Sequence, residues 1–244
     1  MDLKNTSKNL FFTETTNETE EEKRKQKQKL VRNEFERSGK YGMPLIKKQN
    51  IDLSKIDLWN FTKTKQDDTE NKNKTIHFFT YDWNFESVYQ KPEKALEKLD
   101  QYYALLTPEF STYKDMPLAR QIDSVFKNRW CGAFWQKQGM KVIPTISWGS
   151  IPCMEFCFDG VEKGSIVAVS TYTREDNKDG FVMGYNKMLE VIKPTAIICY
   201  GEPFFEMKGK IISISPFNKE ELIAKMGVAE YTKKLIEGSL YPTN

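Results

Sequence analysis

The sequence predicts an α/β fold: a mainly parallel sheet of about six strands with alternating helices, preceded by an N-terminal helical and irregular extension. Three observations predict it. From Thr75 onward, short β-branched and apolar runs alternate with stretches of helical period. The strand-like runs are almost continuously apolar, the pattern of strands covered on both faces. In residues 128–149, NRWCGAFWQKQGMKVIPTISWG, helical spacing gives way to a β-branched run across Gly139, the expected left-handed helix stop. Such alternation forces parallel neighbours joined by right-handed crossovers. Two architectures satisfy it: an open doubly wound sheet, or an incomplete TIM-like barrel whose missing strands hide in the N-terminal region.

Taken in order, residues 14–37 begin acidic and end basic, as a helix dipole favours, with Asn17 or Thr19 as N-cap. Residues 40–61 alternate turn residues with short apolar patches and read as an arm packed on the core. Residues 63–74, KTKQDDTENKNK, contain no apolar residue and read as a flexible loop or boundary. The predicted organisation is a charged extension over 1–40, an arm and loop over 41–74, and an α/β core over 75–244. Within that core the strands are TIHFFTYD, YALLTP, KVIPTISW, SIVAVST, TAIICYG and KIISIS. The helices between them are KPEKALEKLDQY with proline at its start, a long one from about Ala119, one or two turns in SIPCMEFCFDG, and GFVMGYNKMLEVIK. A last helix begins near Asn218. Pro144 inside KVIPTISW lacks the amide a central strand needs, so a bulge or an edge is expected there.

The 244 residues suit one domain with an extension. Of the charges, 17 Lys/Arg and 13 Asp/Glu fall in residues 1–74, leaving 20 and 21 for the rest, so the basic surplus sits in the leader. That surplus allows a polyanion partner but is too small to establish one. No apolar run reaches membrane-span length and the N-terminus lacks a secretion signal, which predicts a cytoplasmic protein with no membrane partner. Cys131, Cys153, Cys157 and Cys199 then read as reduced core thiols, without the paired knuckles of a zinc site. No metal ligand set is assigned, and the cofactor is unknown.

In parallel α/β folds ligands bind at the carboxyl ends of the strands. Three carboxylates stand at those exits: Asp82 ends TIHFFTYD, Glu109 follows YALLTP and Glu202 follows TAIICYG. Converging, they could divide acid and base roles or hold a magnesium ion over phosphates; standing apart, they cap the helices that follow. Trp83 and Trp148 lie at the same exits, and Tyr81, Tyr113, Tyr172 and Tyr200 cluster there as a nucleophile, as stacking platforms or as buried hydroxyls. Arg120 and Arg129 follow on the long helix, positioned either for an anionic ligand or for ion pairs with Asp115, Asp123 or Glu109. The phosphate-loop, dinucleotide, serine-hydrolase and zinc-protease motifs are all missing. His77, the sole histidine, lies inside the first predicted strand, where a core role is the commoner one.

The segments KYGMPLI, FFTYDWNFESVYQKPE, TPEFSTYKDMPLARQ, RWCGAFWQKQGMKVIPTISWG, CFDGVEKGSIVAVSTY and ICYGEP together resemble an uncharacterised domain-of-unknown-function family encoded by bacterial prophages, plasmids and other mobile elements. The resemblance covers about residues 30–215 and carries over no catalytic residue. It implies a mobile-element protein acting in replication, maintenance or host conflict. Two functions of different class follow. One is a binder of nucleic acid, nucleotide or a host protein, using the exit aromatics and the arginines. The other is a carboxylate-dependent hydrolase or glycosyl/phosphoryl transferase using Asp82, Glu109 and Glu202.

Overall fold

The computed structural model describes residues 19–172, 174–217 and 219–236. Asn17 and Asn218, considered above as helix starts, lie outside them. Two compact units divide the chain, residues up to 34 and residues 35 onward. In the first, α1 (Glu20–Lys27) opens on a capping box: the Thr19 hydroxyl accepts from the Glu22 amide at 3.2 Å and the Glu22 carboxylate accepts from the Thr19 amide at 2.7 Å. No residue of α1 is buried, so it is a solvated helix.

The second unit starts with an antiparallel hairpin, β1 (Arg37–Ser38) and β2 (Met43–Pro44). Seven parallel strands follow: β3 (Leu58–Asn60), β4 (Thr75–His77), β5 (Ala104–Leu106) and β6 (Val142–Ile143) form one sheet, and β7 (Ile166–Ser170), β8 (Ala196–Tyr200) and β9 (Ile211–Ile214) another. A parallel bridge between Thr145 and Ala168 joins the two. Along this array every strand neighbours the next one in sequence. A doubly wound sheet must reverse its order at a switch point, so this unreversed order is the winding of an incomplete barrel.

The inner face confirms the curvature. Leu58, Leu106, Ile143, Ala168, Ile198 and Ile214, each from a different strand, form one buried cluster. The His77 ring on β4 lies 4.9 Å from that of Tyr200 on β8. The helices α2 (Glu86–Gln90) and α3 (Pro92–Leu99) connect β4 to β5, α4 (Leu118–Lys137) connects β5 to β6 and α5 (Lys178–Ile192) connects β7 to β8, and α6 (Lys219–Met226) and α7 (Val228–Ile236) follow β9. Gly139 has φ +85° just past α4, and Gly227 with φ +84° splits the predicted last helix into α6 and α7.

Pro144 sits where the ladder changes partner. Before it, Val142 and Ile143 pair with Leu105 and Leu106 of β5; after it, the Ile146 amide donates to Ala168 O at 2.8 Å. The missing proline amide falls at the hand-over, where no ladder bond needs it.

The core begins earlier than the boundary placed at residue 75. Leu58–Asn60, read as part of an arm, is a strand paired along Thr75–His77; at three residues it was too short to show a period. Residues 63–74 are no loose boundary either. Asp68 is buried and accepts from the Glu70 and Asn71 amides and the Tyr102 hydroxyl at 3.0–3.1 Å, while the Gln101 side chain donates to Lys65 O and Gln66 O at 2.7 and 2.9 Å. Polar side chains hold this segment, which apolar patterning does not reveal.

Close backbone approach fixes the exit loops. A Cβ on Gly149 would stand 1.9 Å from Thr112 O and 2.7 Å from the Gln121 side-chain oxygen. Because the nearest atom belongs to backbone, Gly149→Ala is expected to destabilise the chain by about 1–3 kcal/mol, as overpacking does. A lowered urea midpoint checks this; an unchanged one would show that the loops after β5 and β6 are not in contact.

Candidate functional site

Three strand exits converge at the carboxyl edge. After β4 come Phe79, Thr80, Tyr81 and Asp82; after β5, Glu109 and Ser111–Tyr113; after β7, Tyr172 and Arg174. All of these but Asp82 line a cleft of about 420 Å³. Asp82 opens the 3-10 turn Asp82–Asn84, and its carboxylate accepts from the Ser111 amide at 3.0 Å and the Ser111 hydroxyl at 2.8 Å, tying the β4 exit to the β5 exit. The Glu109 carboxylate lies 3.8 Å from the Arg174 guanidinium, which arrives from the β7 exit. An inner pocket of about 10 Å³, the room of a single water, lies on the other side of this pair and is lined by Trp148, Asn177 and Phe181.

Glu109 is the electrostatic centre. Its side chain is 17 % exposed, and burial pushes its carboxyl up to about 7; Arg174 opposes the rise and the charge of Asp82 adds to it. A carboxyl poised there exchanges its proton at neutral pH. His77, by contrast, is held down to about 3, by burial first and then by Lys63, so it stays neutral. Its Nδ1 accepts from the Phe79 amide at 3.2 Å, and its ring packs beneath the cleft floor, where Tyr200 stacks on Phe79 at 4.7 Å. Burial also pushes the Tyr200 hydroxyl up to about 12, with smaller contributions from Tyr172 and Glu221.

The rim is aromatic and open. Tyr81, Tyr113 and Tyr172 are all exposed around the cleft, and Trp83, 74 % exposed, stacks on Tyr81 at 4.4 Å. Exposed aromatics grouped around one opening leave ring faces for a flat ligand.

The remaining sequence candidates fall elsewhere. Glu202 follows β8 on an exposed turn and lines neither cavity that holds Glu109. Arg120 is exposed on the first turn of α4. Arg129 is 1 % exposed and spends its guanidinium internally, donating to Asp159 O at 2.8 Å, Cys157 O at 2.6 Å, Thr145 O at 3.3 Å and the Asn128 side-chain oxygen. It braces backbone. The sequence reading missed Arg174 and Ser111. Arg174 stands three residues beyond SIVAVST, and the strand-exit rule that selected Asp82 and Glu109 would have found it.

Residues 35–218 match the family described as Domain of unknown function (DUF4417). The chain belongs to this family. The DUF4417 match begins where the second structural unit begins and takes in every strand of the barrel-like array, leaving the leader outside. The chain is 34 % identical over 175 residues to the Gene 1 protein of Mycobacterium phage L5, covering 70 % of this chain and 76 % of that protein. It is 33 % identical over 174 residues to the Gene 1 protein of Mycobacterium phage D29, covering 70 % of this chain and 64 % of that one. No solved structure matches it. Among the described residues no helix is long and apolar enough to cross a membrane.

The raised Glu109 carboxyl makes stability depend on pH with a definite sign. Unfolded, the group loses its proton near its ordinary 4.5, whereas the folded chain keeps it to about 7. Stability attributable to Glu109 therefore falls as pH rises from about 4.5 through about 7, by roughly 3 kcal/mol in all. Urea unfolding at pH 5 and pH 8 checks this: Glu109→Gln should remove that fall, and equal pH dependence in both proteins would show an ordinary carboxyl.

Proposed function

We propose that this DUF4417 protein binds a nucleotide or a nucleic acid at the carboxyl edge of its parallel sheet, in the mobile-element setting of its phage relatives, in replication or host conflict. One observation carries the reading: exposed Tyr81, Tyr113 and Tyr172 surround the same cleft into which Arg174 projects. Aromatic faces take bases of any sequence and a guanidinium takes phosphate, the pairing that single-stranded and nucleotide ligands require. Trp83 on Tyr81 extends the platform outward, and Tyr200 backs Phe79 from below. Trp148 borders this region through the inner pocket.

Glu109 favours a second reading, a carboxylate-dependent enzyme of hydrolase or transferase type. A carboxyl near 7 beside the ionisable Asp82 suits an acid–base pair. In that reading Glu202 acts on a ligand long enough to reach the β8 exit.

Titration of the full chain with nucleotides and with a dT oligonucleotide, read by calorimetry and fluorescence anisotropy, tests both. Tyr172→Ala should weaken binding about 5- to 150-fold, the 1–3 kcal/mol of one stacked base, and Arg174→Ala should weaken it and flatten its salt dependence. Absence of binding by the wild type, or equal binding by both variants, would overturn the binding reading. Product formation abolished by Glu109→Gln with binding retained would establish the enzyme.

A further inference from the structure

A second polar cleft lies apart from the residues of the carboxyl-edge site. The chain bends between α2 and α3 at Lys91, where φ −131° and ψ 62° break the helical path before Pro92 restarts it. The notch left by that bend opens into a cleft of about 330 Å³. Lys91, Lys94 and Lys98, spaced three and four residues apart, line it together with Gln66 and Ser87. Phe61 forms its apolar base, held by stacking on Phe78 at 4.9 Å.

This donor set is unbalanced. Glu97 is the one acid lining the cleft, against three ammonium groups, and among the described residues none of the three lysines is in an ion pair. Lys98 is half-buried with its ammonium 4.3 Å above the Phe61 ring. Burial pulls its pKa down, with no carboxylate offsetting it. Like charges gathered in a concave site raise one another's cost unless an anion shares it. The walls are already set: Gln101 fastens the backbone at Lys65 and Gln66, and Asp68 fastens the turn that follows.

We propose that this cleft is a phosphate-binding site, distinct from the carboxyl-edge cleft, in which Lys91, Lys94, Lys98, Gln66 and Ser87 hold the oxyanions of a polyphosphate or of a nucleic-acid backbone. Neither the leader nor the tyrosine-rimmed cleft contributes a residue to it, so it stands whether or not the preceding reading does. Ammonium groups on flexible stems suit phosphate as point charges rather than as planar forks, and the open cleft matches an extended anion better than a fixed small one.

The test uses the full chain at low ionic strength, titrated by calorimetry with tripolyphosphate and, separately, with a dT oligonucleotide. The wild type is compared with Lys91→Gln/Lys94→Gln, both exposed positions whose change leaves the fold intact, with the Lys91→Arg/Lys94→Arg rescue and with Arg174→Ala. The expected result is a loss of at least tenfold in the glutamine variant, recovery in the arginine variant and, for tripolyphosphate, a smaller loss in Arg174→Ala than in the glutamine variant. For the oligonucleotide the slope of log affinity against log salt should flatten by about 1–2. Weakening confined to tripolyphosphate assigns the site to a free polyphosphate or nucleotide; weakening confined to the oligonucleotide assigns it to a nucleic-acid backbone. Absence of binding of either anion by the wild type, or equal binding by the glutamine variant, overturns the site. Tripolyphosphate binding lost in Arg174→Ala alone would place the anion in the other cleft and overturn it as well.

Discussion

The hand-over at Pro144 and Thr145 holds the two sheets together. There β6 stops pairing with β5 and its continuation starts pairing with β7, so for two residues the ladder is thin. Side chains replace it. The Thr107 hydroxyl accepts from the Thr145 amide at 2.8 Å and donates to Asn128 Oδ1 at 3.0 Å; Asn128 in turn donates to Pro108 O at 2.7 Å and to Thr145 O at 3.2 Å. Arg129 adds its donors from the same turn of α4. Every one of these groups is buried, and a buried polar network is stabilising only when its members are satisfied together. Curvature of the array, and with it the convergence of the strand exits, rests on this junction.

The cleft inherits its chemistry from the same place. Glu109 comes two residues after Thr107, so the network that seats Thr107 and Pro108 also fixes where that carboxyl enters the low-dielectric rim. Burial there outweighs the attraction of a guanidinium 3.8 Å away, which is why the carboxyl is raised and not lowered. With its proton on, Glu109 leaves the Arg174 charge available to an anion; with its proton off, it competes for that charge. Under the proposed reading, anion binding and proton exchange at this edge would be linked through one pair.

The unit that begins at Phe35 carries the fold and starts where the family match starts, whereas the capped, fully solvated helix of the leader lies in the other compact unit. The two clefts proposed to take anions differ in design, and both are lined by residues of the larger unit. One sets a guanidinium among aromatic rings, the other gathers ammonium groups over a single ring. A polymer with bases and phosphates offers partners for both kinds of surface.

Much of this was legible in the chain by itself. Near-continuous apolar runs such as SIVAVST and TAIICYG marked doubly covered parallel strands, Gly139 marked the end of α4, Thr19 stood as one of two cap candidates, and the strand-exit rule selected Asp82, Glu109 and Glu202. These are local signals, set by backbone period and by hydrogen bonds within a few residues. What only the tertiary structure decided were facts about neighbours. Strand order separated the barrel-like array from a doubly wound sheet, because both read identically along the chain. It turned Arg129 inward to brace carbonyls and left Glu202 on an exposed turn, since a side chain's partners depend on which loops meet. It also made a strand of Leu58–Asn60 and an ordered loop of residues 63–74, whose holding contacts, from Thr75–His77 and from Gln101 and Tyr102, come from later in the sequence. And it brought Arg174 to Glu109 across 65 residues, a proximity that no local pattern of residues encodes.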